Sequence, residues 1–149
     1  MSAIALTIDA VSAPDDLQAA FSATCYRAWV GERAYDCFID HTPPPAVLDW
    51  IWRVSGQPSG WIITADNPSG RAAHDARNRS QRTRLDAALA TRQLATRTTE
   101  HIDPAGQWPV EIGRLIASHD RRTIHALARR FEQAAYVRVA PDTCALCWL

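Results

Sequence analysis

Three side chains invite chemistry first: Asn67 at the end of an apolar run, and Asn78 and Arg82 beyond it. Amide and guanidinium groups gathered at one place recognise carbonyl-bearing or anionic groups by hydrogen bonding. Further on, Trp108 and Glu111 could bring a carboxylate to the same place, as a general base or as a partner for Arg82. The segment from Arg71 to Leu89 reads as a helix, with Leu85 and Leu89 facing a core. Stepping back along it puts Arg82, Asn78 and then His74 or Asp75 on the same stripe. The deep half of that stripe is therefore polar, and its groups need partners.

Two uses of this stripe follow. In one, the amides lock the backbone of the turn at Asn67, Pro68, Ser69 and Gly70, a dense cluster of turn formers. In the other, Asn67, Asn78, Arg82 and the free N–H groups at the helix start line a pocket at the strand's C-terminal end. Gln133, at a helix end beside a strand, reads as an amide capping backbone groups.

The elements that must hold these groups are legible along the chain. Leu17 to Phe21 suits one or two helical turns, and two runs rich in aromatic and β-branched residues, Thr24 to Val30 and Arg33 to Ile39, flank Gly31 and Glu32 as a hairpin. Pro43, Pro44 and Pro45 open a helix whose apolar positions are Val47, Leu48, Ile51 and Val54, widened by Trp50 and Trp52. Trp61 to Ala65 reads as a buried strand, followed by the Arg71 to Leu89 helix, a strand from Leu94 to His101, a loop from Asp103 to Pro109 and a strand from Val110 to Ala117. Asp120 or Ser118 can cap a helix reaching Gln133, with Ile124, Leu127, Ala128 and Phe131 as its core stripe. A second hairpin, Tyr136 to Ala140 and Cys144 to Trp148, turns at Pro141 and Asp142. This order implies one α+β domain over residues 1–149, with a single mixed or antiparallel sheet and about three helices packed on a face of it.

Composition sets the outer bounds. The 149 residues are 47% hydrophobic and 21% charged, as in an ordinary globular protein. No run approaches the ~20 apolar residues of a membrane span, and Met1 to Asp9 lacks the basic start of an export signal. A cytoplasmic protein with no membrane partner is the expectation. All 16 basic residues are Arg and balance 16 acids. The balance is uneven, with residues 1–70 at −5 and residues 71–149 at +5. Arg71, Arg77, Arg79, Arg82, Arg84, Arg92 and Arg97 stand against only Asp75 and Asp86, which suits an anionic small molecule, a nucleic acid or an acidic protein as partner.

Cysteine and histidine spacing argues against metal. Cys144 and Cys147 fall on a strand, where residues three apart point to opposite faces and cannot share an ion. Cys25 and Cys37 lie across from each other if the hairpin turn has three residues and on opposite faces if it has two; either way they read as small buried hydrophobes. His101 with Glu100 and Asp103 comes nearest to a ligand set and reads as a solvated loop. No phosphate loop, nucleophile elbow or zinc-hydrolase motif is present, and no cofactor is expected.

Ile63-Thr-Ala-Asp-Asn-Pro68, followed by Asn78 and Arg79 and by the Leu85 and Leu89 spacing, resembles the domain of unknown function 3293 family. Trp108 to Glu111 and Ala126 to Ala134 are similar to its second block, and the resemblance runs from Tyr26 to the last strand. Three positions depart from it: Asp66 where an aromatic is usual, Glu132 where a Gly is usual, and Ala134 where Asn is usual. The family name carries no activity, so the resemblance implies the fold and the candidate site without a substrate. The expected function is a binding module for an anionic ligand or partner, using Asn67, Asn78, Arg82, Trp108 and Glu111. The alternative is a small enzyme whose reaction uses Asn67, Asn78, Arg82 and Glu111.

Overall fold

A computed structural model describes residues 14–68 and 71–149, and the side chains from residue 17 onward. The opening segment and the turn residues Ser69 and Gly70 lie outside the described residues. Along the chain come α1 (Pro14–Ala23), β1 (Cys25–Val30), β2 (Arg33–Cys37), α2 (Pro45–Ser55), β3 (Gly60–Thr64) and α3 (Asp75–Thr91). These are followed by β4 (Ala95–Ile102), β5 (Glu111–Ala117), α4 (Arg121–Arg130), β6 (Ala135–Val139) and β7 (Cys144–Trp148).

The seven strands form one antiparallel sheet in the order β2-β1-β4-β5-β3-β6-β7. β3 is buried at all five positions, because side chains that alternate between the faces meet an apolar layer on each side. On one face Ile62, Leu115 and Val137 pack with Val47, Trp50 and Ile51 of α2. On the other, Trp61, Ile63 and Ile116 pack with Leu85 and Leu89 of α3 and with Ile124, Leu127 and Phe131 of α4. Among the described residues there are four helices, close to the three expected, and they do not share one face: α2 packs on one side of the sheet and α3 and α4 on the other. The sheet also curls: beyond β2, Asp40 N–H donates to the Cys144 carbonyl at 2.8 Å and Cys144 N–H to the His41 carbonyl at 2.9 Å, drawing its two edges together.

Local rules account for most boundaries. The β1–β2 register pairs Tyr26 with Cys37 and Val30 with Arg33, so the turn has two residues and Cys25 and Cys37 face opposite ways. Cys144 and Cys147 likewise fall in the two different cores. Gly56, at φ 68°, ends α2 with its N–H on the Trp52 carbonyl. The core stripe of α2 is Val47, Trp50 and Ile51; Val54 is 47% exposed and Trp52 59%. Asp120 caps α4 by accepting from Thr123 N–H, and all four stripe residues of that helix are buried. α4 stops at Arg130, short of Gln133, because Glu132 turns into the left-handed region at φ 55°. α3 starts at Asp75 and not near Arg71.

Candidate functional site

The site begins where β3 leaves the sheet. Asn67 sits at φ 47°, a left-handed conformation that Asn tolerates better than most residues. Its backbone N–H donates to Asn78 Oδ1 at 2.9 Å, and its own Oδ1 accepts from Asn78 Nδ2 and from Ala73 N–H, each at 3.0 Å. The amide clamp expected of the helix stripe is thus formed. Asn67 Nδ2 points the other way and donates to Glu111 Oε2 at 2.7 Å.

Beside the clamp, Arg82 grips Asp66 with two bonds, Nε to Oδ1 at 2.8 Å and an Nη to Oδ2 at 2.6 Å. Asp66 is almost completely buried, and Ile112 N–H also donates to Oδ2 at 2.9 Å. The hydrogen bonds that Arg82 donates to Asp66 hold the Arg82 pKa above its ordinary value. Arg82 therefore donates to Asp66 and not to Glu111, because the carboxylate of Asp66 already takes both arms of its fork. Gln133 donates its amide nitrogen to the carbonyls of Asp66 and Phe131, capping backbone as expected.

On the α2 face of the sheet, under α1, lies a cavity of about 240 Å³. Phe21, Tyr26, Ile62, Val137 and Leu146 contribute apolar walls. Glu111, Asn67, Trp108 and His101 contribute the polar end. Register explains the grouping: Tyr26 pairs with His101 across β1 and β4, and His101 with Glu111 across β4 and β5, so the three share one row. Trp108 reaches in from a loop tied by the Asp103 carboxylate, which accepts from the N–H groups of Ala105, Gln107 and Trp108.

Glu111 Oε2 accepts from Asn67 and, at 3.2 Å, from the Trp108 indole N–H. Its Oε1 lies 4.0 Å from His101 Nδ1, beyond hydrogen-bond reach. Burial raises the Glu111 pKa to about 7, against the opposing pull of the Asn67 and Trp108 hydrogen bonds. Burial lowers the His101 pKa to about 3, so the ring is neutral and forms no ion pair with Glu111 at neutral pH. The His101 ring stands edge-on to Tyr26 at 4.9 Å, with Nε2 2.9 Å from Thr99 Oγ1. Gly113 makes room for it: a Cβ there would come within 2.6 Å of His101 Nε2 and 2.5 Å of the Ile63 carbonyl.

Of the residues read from the sequence, Asn67, Trp108 and Glu111 line the cavity, while Asn78 and Arg82 lie behind Asn67 and Asp66 on the α3 side. His101 is a buried strand residue and not part of a solvated loop. With Tyr26, Gly113 and Asp66 it was missed, although the alternation of Thr99 and His101 on one strand face was a usable signal. Among the described residues no group of three or more His, Cys, Asp or Glu could hold a metal ion.

Several arginines of the basic segment are engaged within the fold: Arg82 of α3 is paired with Asp66, Arg84 of α3 lies over the Phe131 ring, Arg92 just beyond α3 donates to the Ala88 carbonyl, and Arg97 of β4 lies over the Trp50 ring. Among the described residues no helix is long and apolar enough to cross a membrane.

Fold and site together define a small antiparallel α+β protein with a half-buried carboxylate at the end of an apolar cavity. Residues 63–136 match the model of the family described as Protein of unknown function (DUF3293), and the chain resembles that family over this segment. The match is narrower than the span from Tyr26 to the last strand: it contains Asn67, His101, Trp108 and Glu111, but not the cavity walls at Phe21, Tyr26 and Leu146. No curated protein and no solved structure matches the chain.

Proposed function

We propose that this protein is a binding module for a small, largely apolar molecule that fills the cavity under α1 and hydrogen-bonds to Glu111. The observation that supports this best is the unequal use of the Glu111 carboxylate. Oε2 is fixed by Asn67 and Trp108, while Oε1 at the cavity end meets no donor within bonding distance among the described residues. Concave, mostly apolar sites with a few convergent polar groups are the usual form of small-molecule sites. The anionic ligand expected from the Arg-rich segment fits this cavity poorly, since no Arg lines it and its polar end carries a carboxylate. Asn78 and Arg82 serve in this reading as positioning residues behind Asn67 and Asp66. Four free, buried cysteines support a reducing, cytoplasmic setting for this one domain.

A second reading, a small enzyme, is favoured by one observation: a carboxylate with a pKa of about 7 is poised to exchange a proton near neutrality. A fragment screen by thermal shift on the native chain tests the first reading, with Ala135→Phe as the control that fills the cavity from β6. The expected result is a set of stabilising fragments that lose their effect in the variant. Hits that persist equally in Ala135→Phe would overturn it, and chemical conversion of a bound fragment would favour the enzyme.

A further inference from the structure

The carboxylate at the polar end of the cavity is used on one side only. Two side-chain donors of the lining, Asn67 Nδ2 and Trp108 Nε1, are engaged by Glu111 Oε2, and the hydroxyls of Thr24 and Thr64 donate to backbone carbonyls. Gln133 lines the cavity and directs its amide nitrogen to the carbonyls of Asp66 and Phe131, which leaves its amide oxygen as an acceptor. Glu111 Oε1 is a second acceptor. The other carboxylate of the lining, Asp103, is occupied by three backbone N–H groups. No Arg lines the cavity, the guanidinium that acts on Glu111 from a distance, Arg82, is held by Asp66, and His101 is neutral. A ligand that satisfies this end must supply donors, and a positive charge would meet a carboxylate that has no cationic partner of its own.

We propose that the cavity takes a protonated primary amine on a compact apolar body, its ammonium bonded to Glu111 Oε1 and Gln133 and its carbon skeleton between Phe21, Ile62, Val137 and Leu146. An ammonium carries three donors and no acceptor, which complements a carboxylate oxygen and an amide oxygen that both accept. The inference rests on the ligand-cavity reading above and adds the chemical class.

Three probes of nearly equal shape separate the cases: 2-phenylethylamine, 2-phenylethanol and phenylacetate, titrated at pH 8 by NMR of the Trp108 indole N–H. The groups facing Glu111 at that pH are His101 from β4, Tyr26 from β1, Asn67, Trp108, and the Asp66–Arg82 pair beyond. The amine is expected to bind at least about tenfold more tightly than the alcohol, with phenylacetate weakest, and Glu111→Gln should shrink the amine preference to about twofold. Without any substitution, saturating amine should lower the midpoint of the Glu111 carboxyl titration by about one pH unit, and the alcohol should leave it in place. An alcohol that binds as tightly as the amine, or a preference that survives in Glu111→Gln, would overturn the amine class and leave the cavity reading standing. If none of the three probes perturbs Trp108, both fail.

Discussion

Asn67 and Asn78 hold each other from both sides: backbone N–H to Asn78 Oδ1 at 2.9 Å, and Asn78 Nδ2 back to Asn67 Oδ1 at 3.0 Å. Both residues are buried, so neither bond can be replaced by water without rearrangement. Asn78→Leu would strand the Asn67 N–H. A buried donor left unsatisfied costs ~1–3 kcal/mol, and the added Leu surface returns only part of it. We predict a net loss of about 2 kcal/mol by urea unfolding. Unchanged stability would mean that the clamp does not form.

The Asp66–Arg82 pair makes a sharper prediction. Arg82→Met should cost about 3 kcal/mol, because it leaves a buried carboxylate with only the Ile112 N–H as its other partner. Adding Asp66→Asn should recover much of that loss, since the charge is gone and an amide oxygen can still accept from Ile112. A double-mutant cycle checks this. Additive losses would show that the two side chains are not coupled.

Glu111 and His101 act on stability in opposite directions as pH changes. Glu111 has its pKa raised from 4.5 to about 7, so the folded state disfavours its charge, and stability falls as pH rises through that window. His101 has its pKa lowered from 6.5 to about 3, so stability falls as pH drops from 6.5 toward 3. Between 4.5 and 6.5 the two nearly cancel. Glu111→Gln should therefore match the wild type at pH 4.5 and exceed it by about 3 kcal/mol at pH 8. His101→Gln should gain over the wild type only as pH falls below 6.5. Urea midpoints across pH 3.5 to 8 test both, and variants whose curves run parallel to the wild type would contradict the burial of these groups.

What could be read from the sequence was local. Aromatic and β-branched runs between turn residues marked the strands, the i, i+3, i+4 pattern marked the buried Ile124, Leu127, Ala128 and Phe131, and stepping back from Leu85 found Asn78. Trp50 and Trp52 flank the same helix stripe, and nothing local distinguishes the one that meets the sheet from the one that stays exposed. The row of Tyr26, His101 and Glu111 depends on pairing between three strands far apart in the chain. Arg82 found Asp66 before Glu111 for a similar reason: the choice depends on where α3 crosses the end of β3. At the end of β3 the buried Asp66 forms an ion pair with Arg82.

Glu132 offers a test of backbone strain at the end of α4. It holds φ 55°, with its N–H on the Arg129 carbonyl and that of Gln133 on Ala128. Glycine reaches this conformation without steric strain, although it loses more entropy on folding. Glu132→Gly should stabilise by roughly 0.5–1 kcal/mol in thermal unfolding. A loss would indicate that the Glu side chain makes a contribution of its own.

The proposed site depends on a carboxylate largely desolvated at the end of an apolar cavity, and the titration of Glu111 reads this directly. With the Glu carboxyl carbons labelled, the Glu111 signal followed by 13C NMR from pH 3 to 10 should show a midpoint near 7. A midpoint near the ordinary glutamate value of ~4.3 would mean a solvated side chain and would contradict the site.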